Sequence, residues 1–345
     1  MRKWIDAMLA LSVLLAAWGI PQAQPLRVAA TVPELGSLAR AIGGEQVTVV
    51  VFAKGTEDAH FVEAKPSFIK ELSQADVYLQ VGLELEVGWA PVLLQNARNS
   101  KIALGAPGYI DAATVITPLG VPPGPVDRAM GDVHAGGNPH YLTDPLNGLR
   151  VAELLKDRLG VLRPAYQQDF AQRYAAFRDR LSTALVGAAL AQKYDVTKLA
   201  LLFEHGRLAT FLQSQNETQL LGGWLGAMLP YSGTKVVVDH DLWVYFLQRF
   251  GLTLHGSMEP KPGVPPSTKH LQTLAQTMQA ARITVLLTAA YYDPRHAQFL
   301  AQHAGATVVP MAHQAGARPG TDEYLEMIDY NIRQLTVALA GTHRQ

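Results

Sequence analysis

Apolar residues recur along the chain in two rhythms. Short runs rich in β-branched residues, Leu26–Val32, Val47–Phe52 and Val77–Val81, alternate with helix-period stretches at Leu35–Ile42 and Ser67–Ala75. This alternation predicts βαβ units on a parallel sheet. From Pro107 to Pro139 the periodicity fades among glycines and prolines, and the segment reads as loop. Asp144 and Pro145 then have the residue types of an N-cap and first helical position. From Pro164 to about Tyr194, apolar positions at Phe170, Tyr174, Phe177, Leu181, Leu185 and Ala188 keep spacings of three or four, which predicts one long helix. A second alternation follows. Strands are expected at Leu199–Phe203, Lys235–Val238, Leu252–His255, Ile283–Leu287 and Thr307–Pro310, with helices at Trp243–Phe250, Ser267–Ala281 and Pro294–His303. A closing helix is expected from Thr321 to Leu339, its stripe of Tyr324, Met327, Ile328, Asn331 and Leu335 facing a core.

At 345 residues the chain exceeds what one core usually supports, about 250–300 residues, so two domains are expected. The 29 basic and 29 acidic residues cancel, leaving no net charge to attract polyanions, and nucleic acid is not an expected partner. Cysteine is absent. Disulfides, thiolate nucleophiles and iron–sulfur clusters are thereby excluded, and any metal must be held by His and carboxylate. Arg2 and Lys3 precede an apolar run from Ala7 to Trp18, and Gly19, Pro21 and Ala23 follow. That is the plan of a secretory signal peptide over residues 1–23, with Pro21 unusual near a cleavage point. The run is too short to span a bilayer. Without cysteine the exported chain cannot carry a diacylglyceryl anchor, so a soluble periplasmic or secreted protein is expected.

The sequence holds no G-x-S-x-G, no H-E-x-x-H, no G-x-x-x-x-G-K-[ST] and no G-x-G-x-x-G after a strand. What it does hold is eleven histidines. His60 follows the strand ending at Phe52, His240 the strand ending at Val238 and His313 the strand ending at Pro310, while His140 lies in a loop entering a capped helix. Open α/β sheets bind ligands beyond the carboxyl ends of their strands. One such histidine is more often a solvated loop residue; four in equivalent places make a candidate site. His205 after Glu204 is a reserve. His134, in a Gly-rich loop, could recruit a metal or simply face solvent. His255, His270, His296, His303 and His343 read as structural or solvent-facing. Glu63 and Asp144 could orient ligating histidines, or serve as an ordinary surface charge and cap.

Together these stretches resemble the metal-specific solute-binding proteins of zinc and manganese ABC importers, the cluster A-I group. The resemblance is carried by Gly55-Thr56-Glu57-Asp58-Ala59-His60 with Lys65-Pro66-Ser67, by Ala75-Asp76, and by Gly82-Leu83-Glu84-Leu85-Glu86. Further on it runs through Gly137-Asn138-Pro139-His140 with Asp144-Pro145, Gly233 to His240, and Pro260 to Ser267. It implies two α/β lobes with mainly parallel sheets, residues 24–163 and 197–345, joined by a rigid helix over 164–196, with a metal bound between them. By position, His60 and His140 would be ligands from the first lobe and His240 the third. The family's fourth ligand is usually Asp, where this chain reads Met311-Ala312-His313-Gln314, so either His313 replaces the acid or Asp293, Glu204, His205 or water completes the set. The long His-rich loop of many zinc-specific relatives is absent apart from His134 and its neighbours.

The resemblance also implies a monomeric periplasmic protein that is not an enzyme and that delivers its ion to an inner-membrane ABC permease. Imidazole-rich sites suit zinc, copper and nickel, whereas manganese prefers oxygen ligands, so one Zn²⁺ per chain is expected over Mn²⁺. Copper(II) is intrinsically favoured by nitrogen donors, and selection against it must come from geometry and supply. The competing class is an exported His-ligated metallohydrolase, distinguished by an open fourth position on the metal.

Overall fold

The computed structural model describes residues 24–342 apart from 128–130, 132 and 262. The expected signal peptide and His343 lie outside the described residues. Strands β1 (Leu26–Ala30), β2 (Val47–Val51), β3 (Val77–Gln80) and β4 (Tyr109–Asp111) form the first sheet, in order β2-β1-β3-β4. Strands β5 (Lys235–Val238), β6 (Thr253–Ser257), β7 (Val285–Thr288) and β8 (Thr307–Pro310) form the second, in order β6-β5-β7-β8. All pairings within both sheets are parallel. Each sheet therefore reverses its strand order once, between β1 and β3 and between β5 and β7, and such switch points form ligand crevices at strand carboxyl ends.

The helices are α1 (Pro33–Gly43), α2 (Pro66–Gln74), α3 (Ala90–Ala97), α4 (Pro145–Leu162), α5 (Gln167–Val186), α6 (Ala188–Lys193) and α7 (Val196–Glu204). They continue as α8 (Leu208–Ser214), α9 (Gly223–Met228), α10 (Val244–Arg249), α11 (Thr268–Ala280), α12 (Pro294–Ala304) and α13 (Tyr324–Thr342). The two lobes share a core through α5, which packs on α1 and α4 on one side and on α9 on the other. Phe170, Leu181 and Leu185 of α5 are fully buried there.

Most expected elements stand where the periodicity put them. Asp144 is the N-cap of α4, accepting from Leu146 N at 2.9 Å, with Pro145 in the first turn. The closing stripe Tyr324, Met327, Ile328, Asn331 and Leu335 is buried throughout. Three expectations are corrected. Leu199–Phe203 is not a strand but lies in α7, capped by Asp195, with Val196, Leu199, Ala200 and Phe203 buried. Those offsets of three, four and seven are a helical face, which a five-residue apolar window cannot distinguish from a buried strand. The loop expected from Pro107 to Pro139 contains β4, three residues long and held by pairing with β3 rather than by its own pattern. The long helix begins as a 3₁₀ turn at Pro164–Tyr166 and breaks at Gly187. There φ is 85°, and a Cβ would lie 3.2 Å from the backbone of Gly222. The close approach of a second strand of chain, with Gly222 N donating to Val186 O, selects glycine at that point.

Among the described residues no helix is long and apolar enough to cross a membrane.

Candidate metal centre

The local fold presents each histidine for a separate reason. Asp58 caps the 3₁₀ turn Ala59–Phe61. It accepts from His60 N at 3.0 Å, and its Oδ1 lies 2.7 Å from His60 Nδ1. With Nδ1–H given to Asp58, the remaining lone pair of His60 sits on Nε2, the nitrogen a metal would meet. His140 N donates to Asn138 Oδ1 at 2.9 Å, and Asn138 Nδ2 donates to Asp241 O at 2.7 Å. One amide thus ties the His140 loop of the first lobe to the turn after His240 in the second. His240 ends the extended run of β5 and leads into the 3₁₀ turn Asp241–Trp243. Asn331 on α13 accepts from Ala312 N at 2.7 Å and donates to Ala312 O at 2.8 Å, fixing the backbone next to His313. The Tyr291 hydroxyl sits 3.1 Å from His313 Nδ1; with Nδ1–H donated to that oxygen, Nε2 would carry the lone pair for a metal.

These positions converge. The His140 ring lies at the centre, its centroid 5.2 Å from that of His60, 6.3 Å from His240 and 4.9 Å from His313, all edge to face. The four residues are 5–8% exposed. His134 joins them: its ring stacks on His60 with centroids 5.2 Å apart, and the two Nε2 atoms are 3.1 Å apart. Glu84 steadies that loop, accepting from Ala135 N at 3.0 Å with its carboxylate 3.9 Å from His134 Nδ1. Two nitrogens bound to one tetrahedral zinc at about 2.0–2.1 Å would be about 3.3 Å apart, close to the His60–His134 spacing. Among the described residues no three His, Asp or Glu side chains are arranged as a finished coordination shell. The rings are neighbours rather than an assembled set of ligands.

Burial sets the charge of the site. His140 is held well below the ordinary imidazole range by desolvation and then by the neighbouring His313, His60 and His240. His313 is pushed down to about 3 by desolvation; Asp58 opposes this, while His60 and His240 add to it. Both rings are therefore neutral at pH 7, the form that coordinates metal. Burial pushes the Asp58 carboxyl up, but the hydrogen bonds and charge of His60 outweigh this and bring it below its usual value. It is the ionised acid of the site. Glu34 is driven by burial to about 8, so it is protonated at neutral pH. A cavity of about 30 Å³ is lined by Glu34, Asp58, His140, Tyr291, His313 and Gln314. A larger groove of about 610 Å³ lies on the flank of the first sheet beside Gln80, Arg98 and Asp111 and, among the described residues, is lined by no histidine.

The reserve residues are engaged elsewhere. Glu204 meets Arg249 Nη1 at 3.4 Å and accepts from Gln248. His205 is exposed at the end of α7, a helix and not the strand expected before it. Asp293 caps α12 and is gripped by Arg295. Glu63 is exposed, with Lys65 Nζ at 3.9 Å. His255, His270 and His303 bond to Thr277, Ser257 O and Phe299 O respectively. Tyr291 and Asn331 were not marked as site residues by sequence; their only signal was a polar group beside or within an apolar pattern.

Two parallel α/β lobes with buried imidazoles from both meeting in the crevice define the class: a two-lobed binding protein that encloses a small ligand between its lobes. Within that class the sequence comparison is specific. The family model for ZnuA, zinc-uptake complex component A periplasmic, matches residues 28–214 and 212–338, and the chain belongs to that family of cluster A-I metal solute-binding proteins. It is 25% identical over 291 residues to the high-affinity zinc uptake system protein ZnuA of Yersinia pestis, covering 79% of this chain and 77% of that one. A zinc-bound deletion mutant of ZnuA superposes with a TM-score of 0.64 at 20% identity, covering 91% of this chain and 98% of the other. A manganese-bound periplasmic metal-binding protein from Candidatus Liberibacter asiaticus superposes with a TM-score of 0.63 at 16% identity, covering 91% and 99%. By family the chain is a periplasmic metal-binding component of an ABC importer, a transport protein rather than an enzyme.

Proposed function

We propose that the protein captures one Zn²⁺ per chain and delivers it, as a monomer, to an inner-membrane ABC permease after export directed by residues 1–23. The ion is held by His60, His140, His240 and His313. The carrying observation is that these imidazoles, from both lobes, are buried within ring contact of one another around His140. An all-nitrogen set favours zinc over manganese, which prefers carboxylate and water oxygens. The zinc-uptake function named for the Yersinia relative supports the same choice. A neutral four-imidazole shell leaves the ion's charge uncompensated, and the ionised Asp58, hydrogen-bonded to His60, supplies a negative charge beside it. His134, stacked on His60 with its side chain 9% exposed, is a further imidazole beside the ion.

The test is competition titration of the metal-free protein with Zn²⁺ and Mn²⁺, together with elemental analysis of protein isolated from the periplasm. One tightly held zinc and weaker manganese are expected. A stoichiometry near zero for zinc, or tighter manganese, would overturn the proposal.

A further inference from the structure

The structure contains a buried ion pair whose position is unexplained by stability. Arg249 Nε and Nη2 donate to the two carboxylate oxygens of Asp144, both at 2.9 Å, with side chains 9% and 7% exposed. Buried ion pairs of this kind seldom add stability over apolar side chains of similar volume; in some proteins they fix register instead. The register here is between metal-site elements. His140 leads a single 3₁₀ turn, Tyr141–Thr143, that ends at Asp144, closed by Thr143 Oγ1 donating to His140 O at 2.9 Å. His240 leads the turn Asp241–Trp243 that runs straight into α10, whose last residue is Arg249. The third element arrives at the same node: the Tyr324 hydroxyl, at the start of α13 just after the His313 segment, contacts Leu142 O at 2.8 Å and Asp144 O at 3.1 Å. Glu204 holds the remaining arm of the guanidinium, fixing its plane.

We propose that Asp144 and Arg249 are a positioning pair that sets the cross-lobe spacing of His140 and His240, and through it the preference for a small tetrahedral cation over a larger one of equal charge. This rests on the reading of the histidine cluster as the metal site. The pair touches no ion. It closes a strut running from His140 through its turn to Asp144, across to Arg249, and back along α10 to His240. Only a planar two-pronged donor holds both carboxylate oxygens at once, so lysine in its place keeps the charge and loses the orientation.

The experiment measures Zn²⁺ and Cd²⁺ affinities of the full-length chain and of Arg249→Met and Arg249→Lys by competition titration, with circular dichroism for folding. Arg249→Met is expected to weaken zinc about tenfold, the cost of losing an orienting partner, and cadmium less than about threefold, so the zinc-to-cadmium ratio falls. Arg249→Lys should fall between it and wild type. A folded Arg249→Met protein with an unchanged ratio overturns the proposal, whether both affinities hold or both drop together. Should Arg249→Met fail to fold, a wild-type ratio in Arg249→Lys overturns it equally. Absence of zinc binding by the wild-type chain would instead refute the metal-capture reading itself.

Discussion

Replacing His313 by Ala tests the least orthodox member of the proposed ligand set. Its Nδ1 is 3.1 Å from the Tyr291 hydroxyl, so Nε2 would ligate with Nδ1–H donated to that oxygen, and with the ring held down to about 3 it is already neutral when metal arrives near neutral pH. Loss of an orienting neighbour alone costs about 10–100-fold in metal affinity, so loss of a ligand should cost at least about 100-fold, or ~2.7 kcal/mol. At a free zinc concentration of about 1,000 Kd the wild-type protein is stabilised by ~4.1 kcal/mol; the same concentration is only about 10 Kd for the variant, worth ~1.4 kcal/mol. At about 2 °C per kcal/mol for a chain of this size, the zinc-induced rise in melting temperature should shrink from about 8 °C to about 3 °C. The increment is the quantity to read by scanning calorimetry, because removing a ring packed against Trp243 and Tyr291 also lowers the metal-free melting point. His313→Asp should recover part of the increment and improve manganese binding relative to zinc. An increment in His313→Ala equal to wild type would remove His313 from the ligand set.

Three further outcomes are expected. Asp58→Asn, which removes the carboxylate from His60 Nδ1, should weaken zinc about 10–100-fold in a titration while leaving the metal-free fold intact; an unchanged affinity would deny Asp58 its orienting role. The metal-free protein should gain stability as pH falls from about 8 to 6.5. Burial raises Glu34 to about 8 and Glu86 to about 7, so both take up protons in the native state before the unfolded chain does. Below about 4.5 these carboxyls are protonated in both states, while buried His140 and His313 still refuse protons that the unfolded chain accepts below about 6.5, so stability is lost again toward pH 3. Urea unfolding at pH 8, 6.5, 5 and 3.5 would contradict this with a monotonic decline from pH 8. Gly55→Ala should destabilise the fold by about 1–3 kcal/mol, because its Cβ would lie 2.3 Å from Ala315 O and 2.6 Å from Ala317 N, backbone that cannot rotate away. Unfolding free energy within about 0.5 kcal/mol of wild type would show that the Gly55 and Ala315 loops are not pressed together.

Local pattern was enough for much of the architecture. Val47 to Val51 and Val236 to Val238 announce strands by consecutive β-branched residues, Asp144-Pro145 announces a helix start, and His240 and His313 stand just past strand ends, all within windows of a few residues. The same locality explains the misreadings: five apolar residues at Leu199–Phe203 fit a strand or a helix, and what selected the helix was its cap at Asp195 and the surface that buried its face. The histidines' suitability could be read from their residue type, but not their encounter. His140 meets His313 and His240 only because two sheets with the same strand order bring their carboxyl ends to one crevice. Other joints of the fold are more remote still. Arg249 finds Asp144 across 105 positions, and Ser37 of α1 donates to Glu323 and accepts from Tyr324 N at the start of α13 across more than 280. Periodicity and capping are properties of neighbouring residues, whereas ligand spacing, desolvation and the state of each buried acid depend on what the returning chain places beside it.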